Sequence, residues 1–201
     1  MTEQRRLAAI LVADVVGYSK LVGADESGTL AKLRTLRAEV IEPAISRHAG
    51  RLFKSMGDGF LVEFASAVQA LTCAIEIQKA TTPDSLLLRI GIHVGDVVVQ
   101  GDDLMGDGVN IAARVEGVAD SGGIAVSRAV YEQVRDRIAI AFDDRGEIEL
   151  KNIGRPVHIF AVAGNKTAPM PKADAPLTLP DKPSIAVLPF QNMSGDPEQE
   201  Y

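Results

Sequence analysis

The feature that most restricts the fold is the run Gly57-Asp58-Gly59, which separates two short apolar segments. An Asp-Gly pair between apolar runs is a strong signal for a β-hairpin. The segment 51–64 is therefore predicted to form two antiparallel strands with Asp58 at the turn. The rest of the domain has to be arranged around this hairpin.

One strand pattern and one helix pattern lie on each side of the hairpin. Residues 7–13 are apolar without alternation, which is typical of a strand buried on both faces. Apolar residues at helical spacing then predict a long helix over 30–45 that stops near Gly50. After the hairpin, a helix is predicted over 66–79 and an alternating strand over 88–94. The second face of that strand is rich in glycine, so another backbone or a ligand can approach it closely.

The resulting β-α-β-β-α-β order is that of a ferredoxin-like α+β fold. A third helix is predicted to start near Val109. Short strands over 124–126, 147–150 and 157–162 complete the domain, which is expected to span residues 1–163.

The composition changes after this domain. Five of the ten prolines lie between residues 164 and 183, which indicates an extended linker. Residues 184–190 then read as a new strand, and a lone strand does not fold by itself. Residues 184–201 are therefore expected to begin a further region that continues past Tyr201 in the natural protein.

Charge and composition exclude several classes of protein. A net charge of −6, from 27 acidic and 21 basic residues, argues against a nucleic-acid binder. The single cysteine, Cys73, forms no intrachain disulfide and reads as a small buried hydrophobe. The apolar run after Arg5 and Arg6 is too short for a signal peptide, and no stretch reaches the roughly 20 apolar residues of a membrane span. A cytoplasmic protein without a membrane segment is expected.

Two aspartates are placed where they can converge. Asp14 ends the first strand pattern and Asp58 lies at the hairpin turn, and in a β-α-β-β arrangement the first strand lies beside the hairpin. Two convergent carboxylates bind Mg²⁺ or Mn²⁺ through hard oxygen ligands. Taken singly, each residue is more typical of a capping or turn aspartate, so neither identifies a metal site alone.

The segment after Asp14 joins the strand to a helical region. Gly17 allows a close backbone approach there, and the N–H groups of Gly17, Tyr18 and Ser19 are candidate ligands for a triphosphate. This is a weak phosphate motif by itself. The three histidines show no metal-ligand spacing and read as structural, with His93 as the one of most interest because it shares the glycine-bearing strand face.

Three runs, taken together, resemble the class III adenylate and guanylate cyclase catalytic domain. They are Val12-Ala13-Asp14-Val15-Val16-Gly17-Tyr18-Ser19, Phe53-Lys54-Ser55-Met56-Gly57-Asp58-Gly59-Phe60 and Asp103-Leu104-Met105-Gly106-Asp107-Gly108-Val109-Asn110-Ile111-Ala112-Ala113-Arg114. The likeness covers about residues 6–163, with the motifs in order. It implies cyclisation of a nucleoside triphosphate with two divalent metal ions, Mg²⁺ or Mn²⁺, in each active site.

The resemblance also implies roles for individual residues. Asp14 and Asp58 match the metal-binding aspartates, and the carbonyl of Val15 matches a further metal ligand. Lys54 and Asp103 match the pair that reads the adenine edge. A lysine donates and an aspartate accepts, which complements adenine and not guanine, so ATP is the expected substrate and cyclic AMP the product.

Three further residues have matches of different strength. Asn110 and Arg114 share a helix face, and the family pattern makes them the ribose-orienting group and the donor to the α-phosphate in the transition state. Without the family context, a solvated helix face would be the simpler interpretation. Lys151 matches a lysine that contacts the terminal phosphates, but a surface lysine is nearly as good an interpretation of that looser motif.

Family members form dimers in which one protomer supplies the metal aspartates and the other the lysine, asparagine and arginine. This chain carries both sets, so a homodimer with two composite active sites is expected. A guanylate cyclase and a catalytically silent nucleotide-binding signalling module are the alternatives. Residues 182–190 resemble the region that follows the cyclase domain in some bacterial multidomain cyclases.

Overall fold

The computed structural model describes residues 4–81, 86–101 and 103–163, apart from the side chains of residue 4 and residues 54–56. The predicted linker over 164–183 and the predicted further region over 184–201 lie outside the described residues. The domain boundaries drawn from the sequence therefore stay predictions.

The described part of the chain forms both strands and helices. The strands are β1 (Gln4–Val15), β2 (Arg51–Met56), β3 (Gly59–Phe64), β4 (Leu88–Gln100), β5 (Asp103–Met105), β6 (Ile124–Ser127), β7 (Phe142–Ile148) and β8 (Val157–Val162). The α-helices are α1 (Tyr18–Ala24), α2 (Glu26–Leu36), α3 (Glu42–Arg47), α4 (Ala67–Ala80), α5 (Asp107–Gly117) and α6 (Arg128–Val134).

The strands form one sheet in the order β2-β3-β1-β4-β6-β8-β7, with β5 paired to β4. β1 lies between β3 and β4 and is antiparallel to both, whereas β4 and β6 are parallel. The first four strands thus have the order β2-β3-β1-β4, with a helical segment between β1 and β2 and α4 between β3 and β4. This arrangement confirms the predicted ferredoxin-like α+β fold.

Strand alternation divides the core between the two faces of the sheet. Ala9, Leu11 and Ala13 of β1 join the large cluster that α2, α3, α4 and α6 cover. Ala8 and Ile10 point to the opposite face, where they pack in a smaller cluster with Ala112 of α5. By the same alternation, Asp14 lies on the α5 face.

The predicted long helix is present but contains an irregularity. A π-helical turn at Arg37–Ile41 joins α2 to α3. Pro43 has no N–H to donate to the carbonyl of Glu39 four residues earlier, and the wider π spacing accommodates this loss. The helix ends where Ala49 adopts a left-handed φ of 53° and the N–H of Gly50 donates to Ile45, so Gly50 follows the stop as predicted.

The glycine-rich face of β4 is approached closely by α5. A Cβ at Gly91 would lie 2.1 Å from the backbone nitrogen of Glu116, and one at Gly95 would lie 3.0 Å from the Cα of Gly108. Glycine is therefore required at Gly91 for the helix backbone to lie against the strand, and a side chain at Gly95 would make a tight contact. The prediction of a close approach is confirmed, and the approaching group is a backbone.

Two sequence expectations need correction. The strand expected over 147–150 is β7 at Phe142–Ile148, and Leu150 lies beyond it, buried against α5. The register of β7 shifts between Asp144 and Gly146, and a bulge of this kind interrupts the regular strand pattern in the sequence. Leu7 was expected to be buried but is 68% exposed, because burial in β1 begins at Ala8. The short elements α1, β5 and α6 were not predicted.

Candidate functional site

Asp14 and Asp58 converge at one end of the sheet. β1 pairs with β3 up to Ala13 opposite Phe60, so Asp14, the next residue, lies beside the turn that carries Asp58. Burial raises the pKa of the Asp58 carboxyl group most, and contact with the Asp14 carboxyl group raises it further. The convergence expected from the sequence is present, and the two carboxylates repel one another unless a cation lies between them.

Two further charged side chains surround Asp14. Arg89 lies opposite Asp14 in the pairing of β1 with β4, and its Nη2 donates to Asp14 Oδ2 over 3.3 Å. On its other side, Arg89 Nε lies 3.0 Å from Glu116 Oε1 of α5. Those two atoms form an ion pair that is not aligned as a hydrogen bond, and neither has a hydrogen-bond partner in the described part of the chain. We call Asp14, Asp58, Arg89 and Glu116 the metal half of the candidate site.

The donor set of this region suits a divalent metal ion. Asp14 and Asp58 supply carboxylate oxygens, and the carbonyl of Val15 directly follows Asp14. Hard oxygen donors of this kind are what Mg²⁺ and Mn²⁺ prefer, with water and phosphate oxygens as further ligands. Within residues 4–81, 86–101 and 103–163, no three His, Cys, Asp or Glu side chains form a complete metal cluster. Water or substrate oxygens would supply the remaining ligands of an ion held here.

The residues matched to base recognition lie on two elements that touch. Asp103 begins β5, which pairs with the far end of β4 opposite Gln100. β5 also contacts β2, the strand of Lys54. The Lys54 side chain is not among those described, so the predicted Lys54–Asp103 pair stays a prediction at the level of side chains.

Asn110 and Arg114 lie on one exposed face of α5. Neither side chain makes a hydrogen bond or ion pair with the described residues. Glu116 is two residues after Arg114, about 200° further around the helix, and is buried against Arg89. α5 therefore turns Glu116 toward Arg89 and the metal half, and it directs Asn110 and Arg114 away from them. We call Lys54, Asp103, Asn110 and Arg114 the nucleotide half.

The remaining candidates lie at the edges of these regions. Gly17 adopts a left-handed φ of 67° and caps the short helix α1, which begins at Tyr18 and continues through Ser19. The first N–H groups of a helix have no partners within it, so these three residues present donors three to five positions after Asp14. Lys151 is exposed in the turn after β7.

The histidines have structural partners. His93 Nδ1 lies 2.8 Å from the hydroxyl of buried Ser127, and burial lowers the pKa of His93 to about 4. His48 pairs with Glu76, and His158 pairs with Asp144. The structural interpretation of His93 is therefore favoured over a catalytic one.

A cavity of about 610 Å³ lies away from both halves. Its lining includes Gln78, Lys79, Asp120 and Arg145, and none of the predicted site residues. In the described part of the chain, no helix has the length and apolar character needed to cross a membrane.

Sequence reasoning missed Arg89 and Glu116. In the sequence, Arg89 is only one polar residue of the alternating strand over 88–94. Its position opposite Asp14 depends on the pairing register of strands 75 residues apart, which no local pattern reveals. Two features of the sequence could have pointed to this pair. Arg89 stands at the start of a glycine-bearing strand, and Glu116 follows Arg114 by two residues.

Comparison with known proteins gives a consistent family. The family model described as the adenylate and guanylate cyclase catalytic domain matches residues 2–164. A curated relative from Rhizobium meliloti (strain 1021), named putative adenylate cyclase 3, is 51% identical over 98% of this chain and 36% of its own length. A relative from Streptomyces coelicolor named adenylate cyclase is 31% identical over 68% of this chain and 36% of its own length.

A solved structure supports the same assignment. The structure described as an adenylate/guanylate cyclase/hydrolase from Silicibacter pomeroyi has a TM-score of 0.76 at 40% identity. The match covers 81% of this chain and 99% of that one. The chain thus spans nearly all of the solved domain but about a third of the two curated relatives.

Proposed function

Because the chain belongs to the adenylate and guanylate cyclase catalytic domain family, we propose that it converts ATP to 3′,5′-cyclic AMP and pyrophosphate. The reaction would use two divalent cations, Mg²⁺ or Mn²⁺, in each composite site of a homodimer. The names of the Rhizobium and Streptomyces relatives support adenine as the base. A role in intracellular signalling and a cytoplasmic location are sequence-based parts of this proposal.

The convergence of Asp14 and Asp58 is the observation that carries the proposal. The carboxylates come from the end of β1 and from the β2–β3 turn, and their mutual repulsion favours a cation between them. Bound divalent cations would lower the pKa of the ribose 3′-hydroxyl and neutralise charge on the phosphates. Asp14, Asp58 and the carbonyl of Val15 are the groups that we expect to hold them.

The nucleotide half would position the substrate. Lys54 donates to adenine and Asp103 accepts from it, while Asn110 orients the ribose. Arg114 stabilises the charge that develops on the α-phosphate, a contribution that typically amounts to about 2.7–4 kcal/mol. The N–H groups of residues 17–19 and the ammonium group of Lys151 would bind the phosphates.

The direction of the α5 side chains supports a shared site. Asn110 and Arg114 project from the face of α5 opposite to Glu116, so they point away from the Asp14 of their own protomer. A second copy that brings its own Asp14 and Asp58 opposite them would complete the constellation. In a two-fold dimer this happens twice, which gives two equivalent sites.

The decisive experiment identifies the product by mass spectrometry. Purified protein is incubated with ATP or GTP and with Mg²⁺ or Mn²⁺, and we expect cyclic AMP from ATP at a rate well above that of cyclic GMP from GTP. Asp58→Ala serves as the control for a contaminating cyclase. Predominant cyclic GMP would support the guanylate cyclase alternative, which remains compatible with the similarity to the adenylate/guanylate cyclase/hydrolase from Silicibacter pomeroyi. Metal-dependent ATP binding without cyclic product would support a silent module.

A further inference from the structure

Arg89 lies between two carboxylates with different surroundings. It donates to Asp14 over 3.3 Å and pairs with Glu116 over 3.0 Å. The Arg89 and Asp14 side chains are each about one third exposed, whereas the Glu116 side chain is 11% exposed. The guanidinium group is therefore divided between a partly hydrated aspartate and a buried glutamate.

This division matters because Arg89 and a metal ion need the same atoms of Asp14. A guanidinium group that pairs fully with a carboxylate occupies both oxygens in a bidentate arrangement. Such a pair would compete with a divalent cation for Asp14. The observed contact is a single long bond to Oδ2, and the nearer neighbour of Arg89 is Glu116.

The position of Glu116 is fixed by the backbone. The close approach at Gly91 places the Glu116 nitrogen directly over β4, so the side chain begins next to the strand of Arg89. A buried carboxylate is costly unless a cation pairs with it. Glu116 therefore needs Arg89, and this need draws the guanidinium group away from Asp14.

We propose that Glu116 is a positioning residue that holds Arg89 back from Asp14 and so leaves Asp14 available to a divalent metal ion. The inference depends on the proposed function, because it takes Asp14 as a metal ligand. The proposed role of Glu116 applies to the protein without nucleotide as well as during turnover. It can therefore be tested by binding of Mn²⁺ alone.

The test is Mn²⁺ binding to the full chain without nucleotide, followed by electron paramagnetic resonance. Glu116→Gln removes the charge that competes for Arg89, and we expect the Mn²⁺ dissociation constant to rise about tenfold, as for other residues that orient metal ligands. The matched control is Glu132→Gln, which removes an ion-paired glutamate from α6 and should leave Mn²⁺ binding unchanged.

A double variant separates positioning from a general loss of structure. Arg89→Met with Glu116→Gln removes both the competing cation and its restraint, so Mn²⁺ affinity should return at least to that of the wild type. Unchanged affinity in Glu116→Gln, or a double variant that binds as weakly as the single one, would overturn the inference. If Glu116→Gln does not fold, weak binding by the folded double variant overturns it as well.

The proposed metal site has its own control. Asp14→Asn should abolish the Mn²⁺ binding seen in the wild type. If Asp14→Asn binds as well as the wild type, the proposed function fails at the metal site. If Asp14 is required but Glu116→Gln has no effect, only the positioning role of Glu116 fails.

Discussion

The two halves of the candidate site differ in how completely one chain surrounds them. In the metal half, Asp14 contacts Asp58 and Arg89, and Arg89 contacts Glu116, so each charge has a neighbour from the same chain. In the nucleotide half, Asn110 and Arg114 are exposed and make no polar contact with the described residues. The metal half is held together by contacts within one chain, whereas Asn110 and Arg114 project outward.

This difference has a thermodynamic consequence. Substitution in the metal half disturbs buried charges and should affect both folding and activity. Substitution of an exposed residue on α5 should affect activity with little effect on folding. The following predictions test this contrast in order of decreasing effect.

The largest effect is expected from complementation between the halves. Asp58→Ala and Arg114→Ala should each lose activity, by about 10²–10³-fold for the arginine. Mixed dimers contain one site with both substitutions and one intact site, so an equal mixture should recover about one quarter of wild-type activity. The measurement is cyclic AMP production after the variants exchange subunits.

The control for this experiment mixes two variants of the same half. Asp14→Ala with Asp58→Ala leaves no intact site in any dimer and should stay inactive. If the mixture of Asp58→Ala and Arg114→Ala is no more active than its parents, the shared site is wrong.

A smaller effect is expected on stability when matched arginines are compared. Arg89→Met leaves Glu116 buried without its cation and should lower the free energy of unfolding by about 2–3 kcal/mol, because Arg89 is itself partly exposed. Arg114→Met should change it by at most about 0.5 kcal/mol. Urea denaturation at pH 7 measures both, and equal values for the two variants would remove the distinction between the halves.

The smallest effect concerns His93, which lies on β4 between the positions opposite Asp14 and Asp103. Burial lowers the pKa of His93 to about 4, so the folded protein binds fewer protons than the unfolded chain, in which the pKa is near 6.5. The contribution of neutral His93 to the free energy of unfolding is therefore present above pH 6.5 and is lost as the pH falls toward 4. Between pH 7 and pH 5.5 the loss should be about 1 kcal/mol.

The comparison for His93 is the variant His93→Gln, which keeps a polar side chain opposite Ser127. Its free energy of unfolding should fall less than that of the wild type over the same pH interval. An identical fall in both proteins would show that His93 is hydrated and that the strand between the halves is open to water.

The sequence was most informative where the signal is local. The run Gly57-Asp58-Gly59 signals a tight turn by itself, so the hairpin was predicted correctly. The neighbouring strand β1 was predicted from its own apolar run. The ferredoxin-like order followed from these elements and two helical patterns. That Asn110 and Arg114 share one face of α5 was also predicted, because they are spaced by about one helical turn.

Other features depend on distant parts of the chain. β5 has three residues and is a strand because it pairs with β4, which its composition does not reveal. The Arg89–Glu116 pair needs both the register of β1 with β4 and the position of α5 over Gly91. The boundaries of β7 depend on a bulge beside Gly146. In each case tertiary contacts decide a structure that local preference leaves open.

The glycine contacts between β4 and α5 bear on how a dimer of this chain would be controlled. At Gly91 no side chain separates α5 from β4, so the two backbones are in direct contact. Side-chain rearrangement between them therefore cannot absorb a displacement of either element. Helix and strand should then move as one rigid body. In the proposed dimer, α5 would carry Glu116 toward one active site and Arg114 toward the other. An input that shifts α5 would then change metal affinity in one site and turnover in the other together. Regulation of such a dimer would act on the pair of sites as a unit.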